Sequence, residues 1–462
     1  MKEKFRKNIV PALQLVAGIL MGIQITIGFV WMAKNITVIP TFGDSQEYLN
    51  LSQTLALDEY RPILYPLILR WIQRVCKTDY QILLYLFQTV ISFFSVFYGV
   101  HTVFEVTGKN KRSEKAIGRK VFFSLYLMTI PMITFMNFCV LTDSLATSML
   151  MLFLSGCILV YAKERPPVKT YILMTAALLV ECLLRADRLY SCLILAVTVF
   201  LVRLIRKQKN RRQLMVAMFS VCLSVVAVVK TVDHFTQIPG LNGRIQTNFE
   251  FVLLDRIVWP NMAANYSSFP EEIRDIITLE DARTFDSHNN NVMYQMAPLM
   301  EEKAGKEKAR EMYGEMAKIV FSNQTKKVLF DIGEDILAMA ATPFSSMLNA
   351  HKLCKKGDSW NIHCMSSKEP DLTKYYNYYY QYAFLGLLVL GIFITVLKRM
   401  MHQSTGIRKS FAVLLPYIGM SMILTLWFSL GDGAPPNDRY AMIIYITWSL
   451  LGASLWGMWN RT

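Results

Sequence analysis

The stretch GDSQEYLNLSQTLALDEYRPILYPLILR, residues 43–70, decides how the chain is to be read. Its apolar residues recur at helical spacing around Tyr48, Leu49, Ser52 and Leu55, and again from Ile63 to Ile72. Arg61 and Pro62 divide the two runs, because proline cannot donate the backbone bond that a continuing helix needs. Arg70 and Arg74 oppose burial of the second run in hydrocarbon. The pattern therefore predicts two short amphipathic helices along a membrane interface, with the carboxylate of Asp44 at their head.

Working outward, the rest of the chain supplies the membrane. Of its 462 residues 53% are hydrophobic and only 18% are charged, far from the balance of a soluble protein. A bilayer core about 30 Å thick takes roughly 20 apolar residues per helix. About ten segments approach that length, near 9–33, 81–106, 121–138, 142–162, 170–186, 189–203, 214–232, 382–398, 410–430 and 440–458. The expected fold is thus an all-α polytopic membrane protein. The first segment is too long for the apolar core of a cleaved signal peptide and should remain as an anchor.

The formal charge of +15 would suggest a nucleic-acid partner in a soluble protein. Its distribution argues otherwise. About half of the 49 basic residues crowd alternate connections, among them KEKFRK at the start, GKNKRSEKAIGRK after the second segment and RLIRKQKNRR after the sixth. That bias places both termini in the cytoplasm and the first loop, 34–80, outside. Three parts follow: a seven-helix module at 1–232, a small, mainly helical outer domain at 233–380 and three final helices at 381–462. Pro270, Gly305 and Gly333 should interrupt the helices of the outer part, and KYYNYYYQY at 374–382 should form an interfacial aromatic belt. Cys354 and Cys364 face outward, with a disulfide between them left open by spacing alone.

A loop with an acid soon after the first helix, a YLNLSQTL helix and an RPILYP run resembles the polyprenyl-phosphate-sugar-dependent glycosyltransferases of the GT-C fold, in the group of protein O-mannosyltransferases and aminoarabinose lipid A transferases. LTDSLATSMLML at 141–152 and NDRYAMIIY at 437–445 are also similar to that group. The chain departs from the pattern in having Ser45 where a second acid often follows Asp44. The resemblance implies a sugar moved from a polyprenyl-phosphate donor to an acceptor hydroxyl on the outer face. Undecaprenyl phosphate would be the lipid in a bacterial inner membrane, the setting expected from the compact chain. The acceptor, whether glycan, lipid or protein, stays open.

Such a transfer needs a base for the acceptor proton and cations for the departing phosphate. Asp44 is the expected base, with helix capping as the competing role; Glu47 comes second. Asp143 in VLTDSLATS would orient the acceptor or, if the loops meet, share a divalent ion with Asp44, although donors of this type generally do without metal. Arg61, Arg185, Arg188 and Arg439 are the expected phosphate ligands, since guanidinium keeps its charge and makes paired hydrogen bonds. Glu181 is expected to pair with Arg185 one turn on. Tyr48 and Tyr65 are assigned to the acceptor or sugar. Two rival readings remain. A lipid-linked polysaccharide polymerase or ligase would carry its bases in the long outer segment, and a transporter would show mid-helix charges and paired halves.

Overall fold

The computed structural model describes residues 2–38, 43–58, 61–107, 114–185, 188–205, 216–217, 219–227, 230, 254, 257–287, 292–344, 370–401, 407–431 and 438–456. Among them the only regular structure is helical. Cys354, Cys364 and Asp187 fall outside this set, as do Arg244 and Arg256. The chain divides into two compact units, one of residues 1–238, 361–422 and 439–462, the other of 239–360 with 423–438.

In the first unit the helices are α1 (Lys2–Asn35), α2 (Gly43–Thr54), α3 (Leu64–Val75), α4 (Tyr80–Thr107), α5 (Glu114–Met128), α6 (Pro131–Asn137), α7 (Asp143–Ala162), α8 (Val168–Leu184) and α9 (Leu189–Ile205). The divide at Arg61-Pro62 falls between α2 and α3, as the sequence predicts. Among the described residues five helices are long and apolar enough to cross a membrane, at 9–35, 80–107, 143–162, 370–400 and 407–429. The sequence reading expects about ten, and the differences have local causes. Helices α8 and α9 have 17 residues each, and the segment near 214–232 is only partly described.

The segment at 121–138 is not one helix. It breaks at Thr129 and Ile130 into α5 and α6, with a bend of 75°. Pro131 is the cause: it removes a backbone donor and drives the preceding residue out of the helical region, and Ile130 is extended at φ −66°, ψ 124°. The freed carbonyls must find partners where water is excluded. Thr134 Oγ1 donates to the Met128 carbonyl at 2.9 Å, while Tyr376 Oη and Gln24 Nε2 donate to that of Thr129 at 2.6 and 2.8 Å. All residues from 126 to 148 are buried.

Tyr376 stands on α13 (Pro370–Met400), so the tyrosine run is not a simple interfacial belt. Tyr376 and Tyr380 are buried, whereas Tyr375, Tyr378 and Tyr382 are exposed. The helix sorts the run by its own period, and only one face meets the surroundings. Close approach also depends on small residues. A Cβ on Gly156 of α7 would clash with Met174 Cγ of α8. Overpacking there should lower stability by about 1–3 kcal/mol in Gly156→Ala, and adding Met174→Ala should restore part of the loss in thermal unfolding of the detergent-solubilised protein.

The second unit holds short turns at 259–268 and 271–274, then α10 (Leu279–Ser287), α11 (Val292–Ala304) and α12 (Lys306–Ala340). Trp259, Met262, Ile273, Met300, Tyr313 and Met316 lie in its buried core. Gly305 separates α11 from α12 at φ +82°, a left-handed position that glycine takes without strain. Gly333 does not interrupt α12. The kink falls instead at Gln324, φ −132° and ψ 33°. Helices α14 (Ile407–Gly431) and α15 (Met442–Leu455) follow α13.

Candidate active site

Asp44 lies in the first turn of α2, where a carboxylate is favoured by the unsatisfied N–H groups of the helix start. Its side chain does more than that. Arg61 Nη2, from the turn before α3, donates to Asp44 Oδ1 at 3.2 Å, and Arg439 Nη1 donates to Oδ2 at 2.8 Å. Arg439 sits in the 3-10 turn Asp438–Ala441 ahead of α15. Glu47, one turn along α2, also pairs with Arg61, and Asp58 accepts the Arg61 backbone N–H at 2.7 Å. Each oxygen of Asp44 thus has its own guanidinium, drawn from opposite ends of the sequence.

The second aspartate repeats the arrangement. Asp143 opens α7, and Arg185, the residue after α8, donates to its Oδ1 at 2.6 Å. Tyr440 links the two pairs. The Cζ of Arg185 lies 4.9 Å from its ring centroid and that of Arg439 lies 4.7 Å away, within the range of cation–π attraction. Tyr440 lies within NDRYAMIIY, where nothing in the sequence alone assigns it a role. Its adjacency to Arg439 was the available signal, and its position against Arg185 depends on folding.

Accessibility separates the carboxylates. The Asp44 side chain is 36% exposed and that of Asp143 only 2%. Asp44 is therefore the carboxylate that a molecule outside the protein can reach. Burial alone would raise its pKa, but Arg439, through charge and hydrogen bond, and then Arg61 and Arg185 hold it below the usual carboxylate range. Arg61 and Arg439 respond in the reciprocal sense: burial disfavours their charge, yet Asp44 and Glu47 raise the pKa of Arg61, and Tyr440, Asp143 and Asp44 raise that of Arg439.

Tyr48 lies on α2 one turn beyond Asp44, with the Arg61 guanidinium 5.7 Å from its ring centroid. Burial pushes its pKa up to about 12, with a hydrogen bond to Thr142 and the charge of Arg185 acting in the opposite direction. Its hydroxyl stays protonated at neutral pH. Beneath it, edge-on at 5.1 Å, is Tyr65. Tyr65 is fully buried and gives its hydroxyl to Gln88 Oε1 at 3.0 Å, so it supports Tyr48 and offers no surface to a sugar. Gln88 in turn donates to the carbonyls of Asn137 and Cys139 at 2.9 and 3.0 Å. Ser144 donates to Asn137 Oδ1 at 2.5 Å. This buried chain fixes the bend at α6 and the start of α7, and hence Asp143.

Of the residues singled out in the sequence, the fold brings together Asp44, Glu47, Tyr48, Arg61, Asp143, Arg185 and Arg439. Arg188 is placed elsewhere. It is buried, with Nη1 donating to the equally buried Glu181 at 3.1 Å, because Arg185 faces Asp143. Among the described residues no group of three or more His, Cys, Asp and Glu side chains is placed to hold a metal ion. Both aspartates face guanidinium, which is the pairing expected of carboxylates that organise cations. No family model matches the sequence, and no curated protein or solved structure is significantly similar to it.

Proposed function

We propose that the protein is an integral membrane glycosyltransferase that moves a sugar from a polyprenyl-phosphate donor to an acceptor hydroxyl at the outer face of the membrane. About ten spans with both termini cytoplasmic, in a bacterial inner membrane, belong to the same proposal. The observation that carries it is the accessible Asp44 carboxylate held between Arg61 and Arg439, with Arg185 and Tyr440 alongside.

The reaction assigns work to each group. The acceptor oxygen bonds to the anomeric carbon as the bond from that carbon to the phosphate oxygen breaks, with inversion in a single displacement. The acceptor proton passes to Asp44. The phosphate leaves with one more negative charge than it had as a diester, and Arg61, Arg185 and Arg439 stabilise that developing charge. Because both Asp44 oxygens are engaged by guanidinium, donor phosphate and base share the same arginines. A phosphate that draws Arg439 toward itself leaves one Asp44 oxygen open to the acceptor and makes it more basic.

Native mass spectrometry of the gently purified protein tests this reading. A co-purifying polyprenyl phosphate, bare or bearing one sugar, supports it. A pyrophosphate-linked oligosaccharide would overturn it in favour of a polymerase or ligase.

The pH profile offers a second test. A carboxylate with a depressed pKa stays ionised as pH falls and loses its charge only below the ordinary carboxylate range, so transfer should be flat through neutrality on its acid side. Arg439→Gln removes the strongest of the opposing charges and leaves burial to act. The acid limb should then move to higher pH, and donor affinity should fall together with it.

A further inference from the structure

The second half of α12, beyond the kink at Gln324, is turned inside out relative to a solvated helix. Leu329, Phe330 and Leu337 are 55%, 62% and 53% exposed, while Asp335 is 1% exposed. Lys326 and Gly333 are exposed on the same side. At 100° per residue, positions 326, 329, 330, 333 and 337 fall within one arc of roughly 100°, so they form a continuous stripe with the lysine at its start. Val328, Asp335, Ala338 and Met339 make up the buried face. A water-facing helix puts its carboxylates out and its leucines in; the reverse is the rule where the surroundings are hydrocarbon.

We propose that this stripe is a lipid-contacting surface, on which Leu329, Phe330 and Leu337 rest among acyl chains with Lys326 at the headgroup level. The occupant is the bilayer of this membrane protein and not a soluble partner, for two reasons. The same unit includes residues 423–438, and so the end of the apolar helix Ile407–Gly431, whose 407–429 portion qualifies as a membrane span. The chain also resumes a span at Pro370, 30 residues after the end of α12. Glu334 and Lys327 lie beside one edge of the stripe, the position of polar groups beside a face laid into an interface. The inference does not depend on the enzymatic reading.

The test uses the full chain in nanodiscs of phosphatidylethanolamine and phosphatidylglycerol containing a phospholipid with a diazirine in its acyl chain. Photolabelled sites are mapped by mass spectrometry, with hydroxyl-radical oxidation measured in parallel. Acyl-chain labelling at Leu329, Phe330 and Leu337 equal to that at the exposed Leu415 and Met422 of α14, with Phe330 protected from oxidation, is the expected result. Oxidation of Phe330 without acyl labelling would make the stripe a solvated face and overturn the proposal. Protection from both would mean that protein covers it, a second copy or another chain, and would overturn it equally.

Discussion

Asp44→Asn is expected to leave a folded protein that retains its donor lipid and to reduce transfer about 10²–10⁴-fold, the usual contribution of a positioned general base. The substitution keeps the size of the side chain and an acceptor oxygen, so one of the two guanidinium contacts at 3.2 and 2.8 Å can persist. What it removes is the site for the proton. Single-turnover transfer, read beside thermal unfolding and the lipid found by native mass spectrometry, separates the two. Near-normal turnover would move the base to Glu47 or Asp143. Asp143→Asn should behave differently: its carboxylate is buried against Arg185, so loss of charge there leaves a poorly solvated cation and should lower stability as well as transfer.

Glu181→Ala is expected to have the largest effect on stability, about 3–5 kcal/mol, since it strands the buried guanidinium of Arg188. The pair itself need not be stabilising. Replacing both members by residues of similar volume, Glu181→Met with Arg188→Met, should recover most of the loss, because desolvation of two charges consumes much of what their attraction supplies. Thermal unfolding of the two variants decides this. If Arg188→Met alone weakened donor binding while the protein stayed fully folded, Arg188 would return to the phosphate site despite its burial.

These predictions depend unequally on what the sequence can be made to say. Asp44, Glu47, Arg61, Asp143, Arg185 and Arg439 are legible because each is an ionisable residue near an end of an apolar segment, and the charge bias assigns those ends to one side. Arg188 has the same credentials. Only the phase of the chain after α8 turns Arg185 to Asp143 and Arg188 to Glu181, and three residues of sequence do not encode that phase. Tyr65 and Tyr376 are missed for a related reason: aromatic residues near a membrane edge suit an interface and a core alike, and the partners that decide, Gln88 and the Thr129 carbonyl, are distant in sequence. The inverted stripe on α12 is hidden in the same way. Its leucines and charges have helical spacing in either orientation, and only packing shows which side is buried.

Pro131, visible in the sequence as a helix breaker, has a consequence for membrane thickness. At about 1.5 Å per residue the 15 residues of α5 rise only about 22 Å, short of a hydrocarbon layer of about 30 Å. Helix α6 then turns away by 75°. The 20 residues of α7, beginning at Asp143, rise about 30 Å and match the layer. Two neighbouring elements therefore prefer different depths, a hydrophobic mismatch built into one chain. On the proposed reaction, turnover measured across phosphatidylcholines of increasing acyl length should pass through a maximum, because a thicker leaflet would lift the donor phosphate away from Arg185 and Arg439, which stand at the end of α8 and the start of α15.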